Sequence, residues 1–202
     1  MVRVLTLERN DRLASNCYII VSGQEAAVVD PSVSYESAVD LYPELAGLKF
    51  VYVLLTHAHA DHFWQIDSYV SQGARVIVSP EDSALLADSR LNCAYFIGYE
   101  LNYYGEFTAI CAGDRIKVGS LTFDVIRTPG HTAGSVVYYS DLIAFVGDTL
   151  FERGGYGRTD LPTAEPSLIF KSISEILKLD DNIKVYSGHG APFLIKEAKT
   201  YF

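Results

Sequence analysis

The chain has 202 residues, of which 49 % are apolar and 20 % charged, with a net charge of −9 and a pI near 4.9. These values are typical of a globular protein, and we interpret residues 1–202 as one domain. An acidic surface repels phosphate backbones and no run of 18 apolar residues occurs, so neither nucleic acid nor a membrane is an expected partner.

The N-terminal residues and the cysteines bear on the cellular compartment. Residues 1–13 alternate charged and apolar side chains, so we expect no secretory signal. Cys17, Cys93 and Cys111 are odd in number and form no CxxC pair, which argues against a disulfide framework. We interpret each as a small core residue, and we predict a cytoplasmic protein.

In the first half of the chain, short runs rich in apolar and β-branched residues predict strands, and apolar side chains at helical spacing predict helices. The strand at 50–55 is an almost continuous apolar run, which favours burial on both faces of a sheet. The predicted strands are at 3–7, 16–21, 26–29, 50–55 and 75–78, and the predicted helices are at 34–45 and 63–70.

Residues 82–111 form an aromatic-rich insertion between the two halves. Six aromatic side chains lie between positions 95 and 107: Tyr95, Phe96, Tyr99, Tyr103, Tyr104 and Phe107. Such density is consistent with helical core packing. The alternative is an aromatic lid over the functional site, in which case alanine at Tyr103 and Tyr104 would raise KM.

The second half repeats the plan of the first. Gly119-Ser120 between two apolar runs is a hairpin signal, and 166–179 is the clearest amphipathic helix, with Pro166 in its first turn. Strands are predicted at 115–118, 121–127, 135–139, 143–146 and 183–186. Two halves, each with several strands followed by helix, predict an α/β fold with four layers, an αββα sandwich of two sheets packed face to face with helices outside.

The densest chemical signal is His-Ala-His-Ala-Asp-His at positions 57–62, directly after the buried strand 50–55. Alternate side chains of an extended segment point the same way, so His57 and His59 could hold one ion. Asp61 and His62 follow where the chain turns into a helix and could reach a second ion. Burying these groups together without metal would leave polar atoms unpaired, so we predict a transition-metal site.

The remaining candidate ligands, His131, Asp148 and His189, each lie near or beside glycine just after a predicted strand. Strand ends at one edge of a sheet are where α/β proteins place their sites. All five histidines of the chain are therefore predicted at strand ends. One ion could bind His57, His59 and His131, the other Asp61, His62 and His189, and Asp148 could bridge the two.

The His-x-His-x-Asp-His motif, VVDP at 28–31 and GHG at 188–190 resemble the metallo-β-lactamase-fold superfamily over nearly the whole chain. The resemblance implies the αββα sandwich, these seven ligands and two divalent ions, zinc first, with iron or manganese as alternatives. GDTLF at 147–151 and GRTDLP at 157–162 look most like the short glyoxalase II-like (hydroxyacylglutathione hydrolase-like) thioesterases.

That likeness implies a dinuclear hydrolase of a small thioester, such as a lactoyl-thiol conjugate. A metal-bridging hydroxide would attack the carbonyl carbon, oriented by Asp61, and Arg158 and Tyr156 would contact the substrate. The chain ends soon after His189, so we expect no counterpart of the C-terminal helical domain that helps full-length glyoxalase II hold glutathione. The sequence gives no indication of the oligomeric state.

Other activities remain open. Persulfide dioxygenases also carry Gly-Arg-Thr-Asp, and their single iron would be held by His57, His131 and Asp148. Lactonases share the full ligand set, and a metal-stabilised binding protein is a non-enzymatic alternative. Arg158 and Asp160 could also form a local ion pair that braces their loop.

Overall fold

The computed structural model describes residues 2–7 and 14–202. The segment from which we expect no secretory signal lies partly outside the described residues, at positions 1 and 8–13. In the part that is described, twelve strands form two six-stranded sheets, accompanied by five short α-helices. None of these helices combines the length and the apolar character needed to span a bilayer.

The first sheet pairs its strands in chain order: β1 (Val2–Leu7), β2 (Cys17–Ser22), β3 (Glu25–Val29), β4 (Lys49–Leu54), β5 (Arg75–Val78) and β6 (Phe107–Ala109). The first three strands are antiparallel, and the pairs from β3 onward are parallel. Parallel neighbours need a crossover connection. The helices in the first two crossovers are α1 (Tyr35–Leu41), α2 (Ala60–Phe63) and α3 (Ile66–Val70).

The second sheet has the reverse order, β12-β11-β10-β9-β8-β7, and only β10 and β11 are parallel. Its strands are β7 (Arg115–Val118), β8 (Leu121–Arg127), β9 (Val136–Tyr139), β10 (Ile143–Gly147), β11 (Lys184–Ser187) and β12 (Phe193–Leu194). The parallel pair is connected through α4 (Ile169–Ile176), and α5 (Ile195–Ala198) follows β12.

Alternating side chains divide the buried residues into three apolar clusters. Along β2, Ile19 packs in a cluster with the helical residues Ala38 and Phe63, while Tyr18 and Ile20 face the second sheet. Strand β10 alternates in the same way between the space separating the sheets and a third cluster against α4. The layers are therefore helix, sheet, sheet and helix, which confirms the predicted αββα sandwich.

The helices are shorter than predicted. The predicted helix 34–45 ends at Leu41, and Pro43 begins a separate 3₁₀ turn. A proline disfavours the α conformation at the preceding residue, and Tyr42 has φ −133° and ψ 80°. The helix predicted at 166–179 begins at Ile169, so Pro166 precedes it and does not lie in its first turn.

The cysteines are only partly as predicted. Cys17 is buried in β2, as expected for a small core residue. Cys93 is half-buried and Cys111 is exposed, so the core interpretation is wrong for both. Cys111 follows the short edge strand β6 on the connection to the second sheet, where the chain crosses the surface.

Replacing Phe145 with alanine should lower the free energy of unfolding by about 3–5 kcal/mol, measured by equilibrium chemical denaturation. Phe145 is fully buried between the sheets, where it stacks on Tyr186 at 5.3 Å and contacts Tyr18 and Phe123. Leu142, which is 66 % exposed, is the matched control, and its alanine variant should change stability by less than about 0.5 kcal/mol. Equal effects at the two positions would contradict the assigned core.

Candidate metal centre

The seven predicted ligands follow the carboxyl ends of four strands. His57 and His59 follow β4, with Asp61 and His62 in the adjoining helix α2. The other three side chains follow β8, β10 and β11: His131, Asp148 and His189. The two sheets contribute to the same edge of the sandwich, so residues distant in sequence meet there.

Three histidines form a first group, His57, His59 and His131, whose ligating atoms lie within 4.8 Å of one another. All three are buried, and His59 Nδ1 lies 2.8 Å from His131 Nε2. His131 donates a hydrogen bond from Nδ1 to the carbonyl oxygen of Arg158 at 2.7 Å. That bond fixes the tautomer and leaves the lone pair on Nε2 directed toward the other two rings.

The second group consists of Asp61, His62 and His189, again within 4.8 Å. Asp61 Oδ2 lies 3.5 Å from His62 Nε2 and 3.3 Å from His189 Nε2. His62 is fully buried, whereas Asp61 and His189 are half-buried and face the opening of the site.

Asp148 lies between the two groups. Its Oδ1 is 3.4 Å from His62 Nε2, and its Oδ2 is 3.6 Å from both His131 Nε2 and His189 Nε2. One carboxylate therefore contacts histidines of both groups, which is the position required of a bridging ligand.

Two histidines of the first group, His57 and His59, are suited to bind a cation without first losing a proton. Burial, followed by the neighbouring His62, lowers the pKa of His57 well below its usual range. Burial and the adjacent His131 lower the pKa of His59 to about 3. His57 Nε2 is buried with no hydrogen-bond partner among the described residues. An unpaired buried polar atom costs about 1–3 kcal/mol, and a metal ion would provide the missing partner.

The carboxylates keep the site electronegative. Burial raises the pKa of Asp148, but the histidines, first His62, outweigh it and hold that pKa well below its usual range. Asp61 shows the same balance with a lowered pKa. Burial lowers the pKa of His62, yet Asp61, Asp30 and Asp148 raise it well above its usual range. Such concentrated negative charge favours a bound cation.

Asp30 is a site residue whose role the sequence analysis did not assign. It follows β3, is buried, and has a φ of 52°. Its Oδ1 accepts from the Thr56 amide at 2.9 Å and its Oδ2 from the Thr56 hydroxyl at 2.7 Å. Oδ2 also lies 3.0 Å from His62 Nδ1. A carboxylate behind a ligating imidazole orients the ring, and the strand-end position used for Asp148 would have indicated this residue.

Asp82 is a second residue beside the candidate ligands whose role the sequence did not indicate. Its carboxylate is fully buried and accepts hydrogen bonds from the Ala58 amide at 3.0 Å, the Thr132 hydroxyl at 2.8 Å and the Gly134 amide at 2.8 Å. Ala58 lies between His57 and His59, and Thr132 follows His131. Asp82 therefore connects the two loops that carry the first group of histidines.

Replacing Asp82 with asparagine should weaken metal binding by about 10- to 100-fold, because an amide NH₂ would face hydrogen-bond donors. A competition titration against a chelating dye measures the affinity. The control is Asp88→Asn, since Asp88 also accepts backbone amide hydrogen bonds, from Arg90 and Leu91, but on the surface. Unchanged affinity in the Asp82 variant would show that the loops hold their positions without it.

A cavity of about 680 Å³ opens over the two groups, which is within the range of small-molecule sites. The predicted substrate contacts Arg158 and Tyr156 both line it. Phe96 and Ile97 of the aromatic segment also line it, together with Phe151.

The lid interpretation, which was based on aromatic density, is wrong for the two tyrosines chosen to test it. Tyr103 is buried in the first apolar cluster, Tyr104 is 78 % exposed, and both line a separate cavity. Helical core packing is also wrong for most of the segment, because five of its six aromatic residues are exposed: Tyr95, Phe96, Tyr99, Tyr104 and Phe107. Aromatic density does not show which way each side chain faces.

Known proteins resemble this chain in sequence and in fold. Hydroxyacylglutathione hydrolase GloC of Haemophilus influenzae is 30 % identical over 193 residues, which cover 91 % of this chain and 89 % of GloC. The crystal structure of BLEG-1 B3 metallo-beta-lactamase superposes with a TM-score of 0.88 at 28 % identity, and that of TTHA1623 in a di-iron-bound form with 0.82 at 30 %. Both cover 98 % of this chain and 97 % of the matched one.

The family model described as the metallo-beta-lactamase superfamily matches residues 10–189, a span that contains all seven of the side chains grouped above. Together with the αββα sandwich, this match shows that the chain belongs to the metallo-β-lactamase superfamily, as its sequence motifs predicted.

Proposed function

We propose that this protein is a dinuclear metal-dependent hydrolase of thioesters. The observation that carries the proposal is the clustering of seven side chains that could ligate metal beneath one cavity: two separate groups of three, and a third group in which Asp148 joins His57 of the first to His62 of the second. His57, His59 and His131 would hold one ion, Asp61, His62 and His189 the other, and Asp148 would contact both. Zinc is the metal we propose, although the same ligands suit iron and manganese.

When bound, two divalent ions supply a water nucleophile near neutral pH and polarise the carbonyl that it attacks. The reaction adds water across the bond between acyl carbon and sulfur, giving a carboxylic acid and a free thiol without any change of oxidation state. Burial raises the pKa of Asp61, but the neighbouring histidines, first His62, outweigh it and lower that pKa, so the half-buried carboxylate can accept a hydrogen bond from the attacking water and orient it.

The wall of the cavity supports the choice of substrate. Arg158 and Tyr156 line it beside the ligands, and the bond from His131 to the Arg158 carbonyl connects the substrate loop to the first group. The name of the relative GloC, a hydroxyacylglutathione hydrolase, favours a thioester. Because BLEG-1 is named as a metallo-beta-lactamase, a β-lactam is the substrate against which the thioester is compared.

A substrate panel tests the proposal, with the zinc-loaded protein for every substrate and an iron-loaded form in addition for the persulfide. A lactoyl thioester, a lactone and a cephalosporin are compared by kcat/KM, and a glutathione persulfide is tested with an oxygen electrode. The proposal expects thioester hydrolysis without oxygen uptake. Oxygen uptake by an iron form with one ion per chain would show a dioxygenase instead of a hydrolase. A higher kcat/KM for the lactone or for the cephalosporin would show a lactonase or a β-lactamase instead of a thioesterase. A chain that only binds metal would turn over none of the four.

A further inference from the structure

The outer wall of the cavity is mainly apolar. The apolar side chains that line it include Phe96, Ile97, Tyr156, Leu161 and Pro162. Phe96 is 63 % exposed and Tyr156 41 %, with the Tyr156 ring packed edge-on against Phe170 at 5.4 Å. Large exposed apolar side chains around a cavity mark a surface that binds an apolar or uncharged group.

Among the described residues that line this cavity, Arg158 is the only lysine or arginine. Its charge is already paired. The guanidinium donates from Nε to Asp160 Oδ1 and from Nη2 to Asp160 Oδ2, both at 2.8 Å. This confirms the ion pair considered from the sequence, and Asp160 itself also lines the cavity.

The ion pair between Arg158 and Asp160 limits which ligands the cavity wall can bind. A carboxylate approaching Arg158 would also approach Asp160, so the two charges nearly cancel at that distance. The chain as a whole carries a net charge of −9, which further disfavours an anion. Away from the metal ligands, the described wall thus offers apolar contact and no net positive charge.

Building on the proposed function, we propose that the thiol released from the substrate is an uncharged carrier, and that Asp160 is a specificity-determining residue that excludes carriers bearing carboxylates. Asp160 acts by neutralising Arg158. A thioester of a neutral amide thiol fits this wall, whereas a glutathione thioester brings two carboxylates to a surface whose single described cation is paired.

Two thioesters with the same acyl group test the inference, S-lactoyl-N-acetylcysteamine as the neutral form and S-lactoylglutathione as the anionic one. The reacting bond is the same, so the ratio of their kcat/KM values reports carrier recognition alone. We expect the wild type to favour the neutral thioester by about tenfold.

Asp160→Asn removes the negative charge and frees the guanidinium, so it should shift the ratio toward glutathione by about threefold at low salt and less at high salt. Arg158→Gln combined with Asp160→Asn should lose that shift. Asp124→Asn is the matched control, because it frees Arg115 from a similar exposed pair at 2.7 Å outside the cavity and should leave the ratio unchanged.

Preference of the wild type for the glutathione thioester, or an unchanged ratio in Asp160→Asn, would overturn the inference while leaving the proposed function intact. Turnover of neither thioester would end the proposed function instead. In that case carrier selectivity would be measured by calorimetric binding of two thioethers, S-methylglutathione and S-methyl-N-acetylcysteamine. We expect tighter binding of the neutral thioether. Tighter binding of S-methylglutathione would contradict the inference.

Discussion

Replacing Asp148 with asparagine is expected to lower thioester kcat/KM by about a thousandfold, or about 4 kcal/mol of transition-state stabilisation. Asparagine has nearly the same shape, but one ligating oxygen becomes an NH₂ group and the negative charge is lost. Because Asp148 contacts His62, His131 and His189, its two oxygens belong to both groups. The variant should therefore also bind fewer than two ions per chain, measured by elemental analysis.

Asp114→Asn is the control for this change. Asp114 is exposed and accepts only the Cys111 amide, at 2.8 Å, among the hydrogen bonds described. Its variant should keep the wild-type metal content and activity. An Asp148 variant that retains two ions and turns over substrate at the wild-type rate would show that the carboxylate is not shared.

Gly188→Ala should be almost as damaging, with metal affinity reduced by about 100-fold or more. A Cβ at this position would overlap Asp148 Oδ1 and lie 2.6 Å from His62 Cε1. The residue is buried between two proposed ligands, and close-packed interiors do not absorb an added methyl group without displacing neighbours. The effect is therefore steric and falls on two of the proposed metal ligands. Metal titration monitors the affinity.

Gly47→Ala provides the comparison, because a Cβ there has no atom within 4 Å and the backbone has no positive φ. Its metal affinity and thermal stability should match those of the wild type. If the Gly188 variant also matched the wild type, the ligands would have more freedom than their packing indicates. Both variants are also melted in the presence of a chelator. If the metal-free Gly188 variant failed to fold, its loss of affinity would reflect general overpacking and not displacement of the proposed ligands.

Much of the fold could be predicted from local patterns. The strands at 75–78, 115–118 and 121–127 match the structure to the residue, because each is bounded by clear turn signals. Strands β6 and β12 were not predicted. Each has only two or three residues, and β6 is exposed, so pairing with a neighbouring strand defines it instead of an apolar pattern.

The candidate site likewise contains residues that local sequence patterns indicate and residues that only the packed fold brings together. Candidate ligands at the ends of apolar strands could be proposed one by one, since the carboxyl ends of strands converge at one edge. Asp82 could not, because its three hydrogen-bond partners lie 24, 50 and 52 residues away and only the packed fold brings them together. The orientation of Tyr103 and Tyr104 could not be predicted for the same reason. The packing of distant residues determines which aromatic side chains reach the cavity above the candidate ligands.

The number of ions bound by each chain tests the central claim most directly. Elemental analysis of the protein after equilibration with zinc and removal of the unbound metal gives that number, and the same sample is assayed for thioester hydrolysis before and after chelation. We expect two ions per chain, with turnover lost on chelation and restored by zinc. One ion per chain, or hydrolysis that survives complete removal of metal, would contradict a dinuclear hydrolase.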